Sequence, residues 1–387
     1  MINSAVICEF NPFHNGHKYL LDSIKKDGSD CTVAVMSSGF TQRGDVAVYS
    51  KFDRTKQAIA GGADVVIELP CVWAVSSAQR FAKGGCDIIR SLGCIDRVYF
   101  GSECGDIELL RKSLEATVCE EVNALVRKLM GEGEYYPNAQ TKAVRAVCGD
   151  EIADILCNPN NTLGIEYMRC LVGSGIELRT IKREGVCHDS DTTNDSFASA
   201  SKLREMILQG ENIDSFVPFS TQDFTNPAFM EYGERAVLCK LRSMSCEELE
   251  KIADVTEGLE NRILAASAEN NTTEEILKSV KTKRYTHARL RRILTCALLS
   301  ITKEHQSWDV PYVRVLGFNS RGEEFVRNLK TTCNLPVIIN AGASYKTLEG
   351  KAKEIFDIEI KSTDIRTVFE KSPTPCGADF RHPVVRL

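Results

Sequence analysis

No run of about eighteen apolar residues occurs in these 387 residues, so no membrane-spanning helix is expected. The start of the chain carries no basic segment ahead of an apolar one, which argues against a secretory leader. Basic residues are not in excess either. The 48 Lys and Arg stand against 53 Asp and Glu, a net charge of -5; this excludes a uniformly basic nucleic-acid coat and confines any RNA site to a local patch. Sixteen cysteines are many, yet none pair at Cys-x-x-Cys spacing and none group with histidine at zinc-ligand spacing. Cys8, Cys31, Cys71, Cys94, Cys119, Cys157 and Cys296 lie among apolar neighbours and read as small buried hydrophobes of a reducing cytosol. No internal repeat or low-complexity tract is present. What remains is a cytoplasmic globular chain, long enough for two or three domains.

Histidine is scarce, with six in the chain, and two of them stand close together near its start. The apolar run Ala5-Val6-Ile7-Cys8 leads through Glu9-Phe10-Asn11-Pro12-Phe13 into His14-Asn15-Gly16-His17, and Lys18-Tyr19-Leu20-Leu21 continues with helical patterning. The order is strand, tight turn, helix. His14 and His17 share one face of the first helical turn, where unpaired amides and the positive end of the helix dipole attract anions. Gly16 admits a phosphate close to the backbone. The arrangement suits a polyphosphate, and it resembles the HxGH signature of adenylyl-transferring enzymes on a Rossmann-like core.

From residue 5 to about 105 the pattern alternates strand and helix. Strands are expected at Thr32–Met36, Asp64–Leu69 and Arg97–Phe100, with helices over 51–60 and roughly 77–92. Continuous apolar strands alternating with helices predict a parallel sheet covered on both faces. Ligands of such sheets bind beyond the carboxyl ends of strands, and His14, Ser37, Ser38, Glu68 and Gly101 all follow strand ends. Residues 106–157 read as a helical insertion. A helix begins near Asn158-Pro159, and Ile176–Arg183 returns to the sheet as a strand. The polar, acidic segment from 185 to about 197 reads equally as an active-site lid or as a connector.

Ser199-Ala200-Ser201-Lys202-Leu203-Arg204 opens the next helix. It is similar to the Ser…Arg element that contacts the triphosphate in HxGH enzymes, with Ser201 donating to phosphate and Arg204 pairing with it; a serine cap followed by a surface arginine explains the same residues. From about 226 the chain turns helical. Ser245–Glu248 and Thr272–Glu275 have the form of capping boxes. A helix near 286–303 carries the apolar stripe Leu290, Ile293, Leu294, Ala297, Leu298 and Ile301. Around it Lys278, Lys281, Lys283, Arg284, Arg289, Arg291 and Arg292 crowd together without an acidic residue among them, interleaved with Tyr285 and His287. That pattern fits an RNA-backbone footprint with an aromatic for stacking, and it fits a solvated helix face. Residues 311–387 read as mixed, strand-like at Tyr312–Phe318 and Leu335–Ile339 around a helix at 322–330. The expected organisation is thus α/β: a Rossmann-like parallel-sheet nucleotidyltransferase core over 1–225, a helical, basic region over 226–310, and a mixed α/β region over 311–387.

Several segments taken together resemble the tRNA(Met) cytidine acetate ligase family. They are Glu9 through His17, Ser38 through Asp45, Asp64 through Pro70, Phe100 through Glu103, Asn161 through Tyr167, and Lys281-Thr282-Lys283-Arg284-Tyr285-Thr286. The first identifies only the HxGH superfamily; the Gln-Arg-Gly loop, the Leu-Gly-Ile-Glu-Tyr helix and the Lys-Thr-Lys-Arg-Tyr-Thr segment are more specific. The resemblance implies a two-step ligase. Acetate is activated by ATP to acetyl-adenylate, and the acetyl group then passes to the exocyclic amine of the wobble cytidine of elongator tRNA(Met). His14 and His17 are the implied catalytic pair. The implied ATP site is Ile7, Cys8, Glu9, Phe10, Asn11, Pro12, Phe13, His14, Asn15, Gly16, His17, Lys18, Tyr19 and Leu20, with Gly101, Asn161, Arg183, Ser201 and Arg204. Gln42 and Arg43 face either the acyl end or the incoming cytidine. Lys281, Lys283, Arg284, Arg289, Arg291 and Arg292 are the implied tRNA contacts. Mg²⁺ is expected with the nucleotide, its ligands unassigned, and neither DNA nor a membrane is expected as a partner.

One departure from the wider superfamily stands out. Many HxGH enzymes place a small hydroxyl residue and an aspartate where this chain has Glu9 and Asn11. Two other functions remain compatible with the residues: a small-molecule adenylyltransferase on the same core, and an RNA-binding protein with a vestigial nucleotide site. The first has no use for the basic helical region, and an intact histidine pair speaks against the second.

Overall fold

The computed structural model describes residues 1–183, 197–256, 258–282 and 285–387. The expected loop over 185–197, apart from Phe197, and Lys283 and Arg284 of the basic segment lie outside these residues. The amino-terminal half builds strands β1 (Asn3–Cys8), β2 (Cys31–Ser37), β3 (Val65–Leu69), β4 (Arg97–Ser102) and β5 (Glu177–Lys182). They lie parallel in the order β5-β4-β1-β2-β3. Every residue of β2 and β3 is buried, which is why their sequences are mainly apolar rather than alternating, with Glu68 the one charged residue among them. Helices α1 (Asn15–Lys26), α2 (Lys51–Ala60), α3 (Cys71–Ala74) and α4 (Ala78–Leu92) make the first three crossovers. Serines start the two long later ones, Ser50 accepting from the Asp53 amide and Ser77 from the Arg80 amide.

The expected helical insertion is α5 (Ile107–Val118), α6 (Glu120–Gly131), α7 (Tyr136–Cys148) and α8 (Asp150–Leu156), folded around its own small core of Val122, Val126, Ala139 and Val144. Helix α9 (Pro159–Leu171) then packs on α4 and β4, and α10 (Ala200–Gln209) follows β5. Past residue 226 come α11 (Met230–Ser243), α12 (Cys246–Glu250), α13 (Leu259–Glu269), α14 (Thr273–Val280) and α15 (His287–Leu299). Both expected capping boxes form, at Ser245/Glu248 and Thr272/Glu275, and the apolar stripe of α15 is buried.

The remaining residues form β6 (Val313–Phe318), α16 (Gly322–Thr332), β7 (Val337–Ile338), α17 (Ala341–Tyr345), α18 (Gly350–Arg366), α19 (Ala378–Arg381) and β8 (Val385–Arg386). This region, set apart in the sequence reading, is not separate from the sheet. Strand β6 lies antiparallel on β3, pairing Val65 with Phe318 and Ile67 with Val315, and it carries β7 and β8 beyond. A buried ionic cluster ties the same parts together. The Lys51 ammonium at the start of α2 lies 2.6 Å from Glu68, 2.8 Å from Asp379 and 3.1 Å from Glu359, and Arg314 of β6 reaches Asp379 at 2.6 Å and Glu68 at 3.3 Å. Glu68 therefore sits in this cluster rather than in a crevice at its strand end. Among the described residues no helix is long and apolar enough to cross a membrane.

Candidate active site

The strand order reverses between β1 and β4, because the chain runs outward from β1 through β2 and β3 and returns to add β4 and β5 on its other side. A cavity of about 420 Å³ opens there, beyond the carboxyl ends of β1, β4 and β5. Its walls are the turn from Ile7 to Asn11, the first turns of α1, Gln42 and Arg43 after β2, Tyr99–Gly101, Ile181–Arg183, and the start of α10.

His14 and His17 meet in this cavity as a stacked pair, with ring centroids 3.8 Å apart and planes 29° from parallel. They cap their own helix. The Nδ1 atom of His14 accepts from the Gly16 amide at 3.0 Å, and Nδ1 of His17 accepts from the His14 amide at 3.3 Å. The amides expected to meet an anion are therefore partly taken by the rings. With both Nδ1 atoms accepting, each neutral ring holds its proton on Nε2 and offers that N–H as a donor. Gly16 is required by this geometry for a reason other than phosphate approach: a Cβ there would stand 2.9 Å from Cε1 of His14.

Burial, reinforced by Arg183 and Arg204, holds the His14 imidazole down at about 3. His17 is held well below its ordinary value by burial, by His14 and by Arg183. Two neutral rings beside two guanidinium groups form a donor array that needs no protonation at neutral pH. A stability consequence follows. An unfolded His14 takes up a proton near 6.5 and the folded one only near 3, so folded-state stability drains away as pH falls through that window. For His14 alone the loss between pH 7 and pH 5 is about 2 kcal/mol. Urea midpoints at the two pH values are expected to differ less in His14→Asn, which keeps a helix cap, than in the unmodified protein. An equal drop in both would contradict the buried neutral ring.

Around the pair, Arg204 donates to the Asn11 carbonyl at 3.0 Å and to the Ser201 hydroxyl at 3.1 Å, so the start of α10 closes on the turn after β1. The Arg183 side chain runs over Gly101, where a Cβ would come within 3.3 Å of its Cγ. Glu9 lines the cavity and accepts from the Gln42 amide at 2.6 Å. Burial pushes its carboxyl up, and the Gln42 amide together with Arg204, Arg54 and Arg43 pulls the other way.

Arg54 is a supporting residue that the sequence reading missed. It is fully buried and donates to the carbonyls of Glu9 at 2.6 Å, Ser37 at 2.9 Å and Tyr49 at 3.1 Å, and also to that of Ser38. One guanidinium thus binds the ends of β1 and β2 together beneath the cavity. Ser37 and Ser38 are buried in this arrangement and do not line the cavity. Tyr99, Phe100, Lys182 and Tyr167 were also missed as walls of the cavity.

Most of the expected nucleotide-site residues converge: Ile7, Cys8, Glu9, Phe10, Asn11, His14, Gly16, His17, Tyr19, Leu20, Gly101, Arg183, Ser201 and Arg204 all line the cavity, as do Gln42 and Arg43. Five do not. Phe13 is wholly buried core, Pro12 is buried with the turn, and Lys18 pairs outward with Asp22 at 2.8 Å. The Asn15 side chain donates to the Ser215 carbonyl at 3.1 Å. Asn161 works from behind the wall, its Oδ1 accepting from the amides of Glu103 at 2.9 Å and Cys104 at 3.2 Å, so it holds the turn that ends β4. Among the described residues no three His, Cys, Asp or Glu are grouped to hold a metal. The carboxylates that line the cavity are engaged, Glu9 by Gln42 and Asp45 by Arg291. The described side chains do not provide a cage for Mg²⁺.

The loop after β2 is folded on itself and clamped from outside. Thr41 and Asp45 exchange backbone and hydroxyl bonds, and Phe40 bridges Val46. Arg366 of α18 donates to the carbonyls of Ala47 and Val48 at 3.1 and 2.8 Å. On the other flank stands α15. Arg291 pairs with Asp45 at 3.0 Å, and the Thr295 hydroxyl donates to the Gly44 carbonyl at 2.6 Å.

These contacts change the reading of the basic cluster. Arg292 is 8% exposed and pairs with Asp254 at 2.8 Å, so it does not stand on an open face. Arg289 donates to the Asp254 carbonyl at 2.9 Å and lies over the Tyr285 ring at 5.2 Å. Tyr285 is itself buried and unavailable for stacking on a base. The acids that absorb this charge, Asp45 and Asp254, come from distant parts of the chain. Lys281 is exposed.

The chain matches the family model described as HIGH Nucleotidyl Transferase over residues 1–378. It is 38% identical to the tRNA(Met) cytidine acetate ligase of Thermoanaerobacter sp. (strain X514), over 99% of each chain. It is 34% identical to the protein of that name from Acetivibrio thermocellus, over 98% of this chain and 99% of the relative. The crystal structure of Thermotoga maritima TmcAL bound with alpha-thio ATP superposes with a TM-score of 0.91 at 30% identity, covering all of both chains. The fold, the paired histidines at the strand-order reversal and these matches have one reading: the chain belongs to the HIGH nucleotidyl transferases and, within them, to the tRNA(Met) cytidine acetate ligase family.

Proposed function

We propose that this protein activates acetate with ATP and transfers the acetyl group to the exocyclic amine of the wobble cytidine of elongator tRNA(Met). The observation that carries the reading is the stacked neutral pair His14 and His17, set between Arg183 and Arg204 at the reversal point of the sheet. In the first step an acetate oxygen attacks the α-phosphorus of ATP. The bond from that phosphorus to the bridging oxygen breaks, and pyrophosphate leaves with its electron pair. Such a transfer needs positioning and charge stabilisation, not a protein nucleophile. The Nε2–H groups of the histidines and the two guanidinium groups supply both on the phosphate side. In the second step the cytidine amine attacks the acyl carbon, AMP departs, and the amine gives up a proton.

The nucleotide site is the segment from Ile7 to Leu20 with Gly101, Arg183, Ser201 and Arg204, Asn161 acting through the turn it supports. Gln42 and Arg43 belong to the acyl and cytidine side. Lys281, Lys283 and Arg284 are the tRNA contacts of the basic segment; Arg289 and Arg292 are engaged by Asp254, and Arg291 by Asp45 of the loop after β2. The nucleotide brings Mg²⁺ with its own phosphates, and no step is assigned to a metal held by the protein. Three regions divide the work: 1–225 for adenylation, 226–310 for tRNA, and 311–387 for closing the sheet.

Label transfer tests the proposal. Protein, radiolabelled acetate, ATP and Mg²⁺ are incubated with elongator or initiator methionine tRNA. ATP-dependent label in the elongator tRNA alone is expected. Pyrophosphate release without label in either tRNA would keep the adenylation chemistry and discard the acceptor, and absence of any ATP turnover would leave an RNA-binding protein.

A further inference from the structure

We infer that α15 sets the acetate affinity of the active site by holding the loop of residues 41–45, with Thr295 and Arg291 as positioning residues. The inference rests on the acetate-activating function proposed above. Thr295 is wholly buried, so its hydroxyl, bonded to the Gly44 carbonyl at 2.6 Å, cannot reach an RNA. Gly44 has φ +82, and a Cβ there would lie 2.6 Å from the Arg292 amide nitrogen. The loop therefore lies directly on the helix backbone, with no side chain between. The Arg291–Asp45 pair fixes the next residue along.

Movement at Gly44 cannot stay local. The Gly44 amide donates to the Thr41 carbonyl and the Thr41 amide to the Asp45 carbonyl, both at 2.9 Å. One residue on, the Gln42 amide holds Oε1 of Glu9 at 2.6 Å while its side chain is anchored on the Ser76 carbonyl at 2.9 Å. The chain of contacts thus runs from a helix in the carboxyl-terminal half to a carboxylate in the wall of the cavity. That carboxylate shares the cavity with a substrate that is also a carboxylate. The fixed amide donor holds Oε1 of Glu9 in place; withdrawing it leaves a buried acceptor unpaired and frees the carboxyl to shift within the wall beside acetate. Acetate is expected to suffer more than ATP, whose phosphates are held by α1, Arg183 and Arg204.

The test compares full-length Thr295→Val, Thr295→Ser and Arg291→Met with the unmodified protein. Acetate-dependent exchange of labelled pyrophosphate into ATP is measured without tRNA, and binding of elongator methionine tRNA is measured across a salt series. Thr295→Val and Arg291→Met are expected to raise the acetate KM about tenfold, since sub-ångström displacement of a positioned group costs rate steeply. The KM for ATP is expected to stay unchanged, Thr295→Ser to restore the acetate KM, and the salt slope of tRNA binding to be unaltered. An acetate KM in Thr295→Val equal to that of the unmodified protein overturns the inference. So does loss of tRNA affinity in Arg291→Met with exchange intact, which would make Arg291 a phosphate contact. Should Thr295→Val not fold, Arg291→Met at the partly exposed edge of the same contact carries the test alone. An unmodified protein without exchange would instead refute the proposed function.

Discussion

His17→Ala is expected to lower acetate-dependent exchange of pyrophosphate into ATP by on the order of a hundredfold or more, leaving tRNA affinity unchanged. Its imidazole has two tasks that alanine cannot take over. It accepts the His14 amide through Nδ1, and it stacks on His14 at 3.8 Å while leaning on Phe10 at 4.9 Å. Removing it therefore deletes one of the two proposed phosphate donors and loosens the other. Losing one preorganised donor costs about 3 kcal/mol in reactions that develop charge on oxygen. The residues proposed to contact tRNA lie on other elements, so binding of elongator tRNA reports whether the fold is intact. An exchange rate close to that of the unmodified protein would remove the histidine pair from the chemistry.

The second large effect concerns stability. Lys51→Met is expected to destabilise the folded state by about 3–5 kcal/mol at neutral pH, because removing one partner leaves buried charges without compensation. Lys51 is 1% exposed and touches three carboxylates that are themselves buried: Glu68, Glu359 and Asp379. Without it Arg314 is the one cation among the described residues that pairs with Glu68 and Asp379. Burial already pushes Glu68 up to about 7, with Arg314 and Lys51 pulling down and Glu359 and Asp379 pushing up. Taking the lysine away drives it further in the same direction. A protonated Glu68 needs no counter-charge, so the deficit narrows as pH falls through that range. Urea unfolding at several pH values measures both the size and the slope. A variant as stable as the unmodified protein would mean that the cluster tolerates the loss by admitting water or a proton.

These two predictions differ in how far the sequence alone could reach them. The histidine pair was legible because strand, turn and helix follow one another within twenty residues and the hydrogen bonds that cap the pair are local, whereas Arg183 and Arg204, which help to keep His14 neutral, come from far along the chain. The mainly apolar, non-alternating sequences of β2 and β3 pointed to the parallel sheet for the same reason. The ionic cluster was not legible. Helix α2 buries Lys51 and Arg54, residues that helical patterning alone places at the surface, and their partners lie as far away as Glu359. Arg292 and Tyr285 misled in the same way, since the Asp254 that neutralises Arg292 and helps to place Arg289 over the ring is remote from the basic run. Charge along a helix can be read from the sequence. Whether a distant acid comes to meet it depends on packing between elements that share no local pattern.

The antiparallel pairing of β6 with β3 bears on how the protein is made. Until β6 arrives, β3 presents an unpaired edge of buried, apolar residues, which is the kind of surface that recruits other strands. On an emerging polypeptide the first five strands can assemble while the helical region is still being synthesised, but their outer edge stays open throughout. The cavity lies at the β1–β4 reversal, with β2 standing between β1 and the open edge of β3. Arrival of β6, rather than formation of the histidine pair, is then the event that closes this edge.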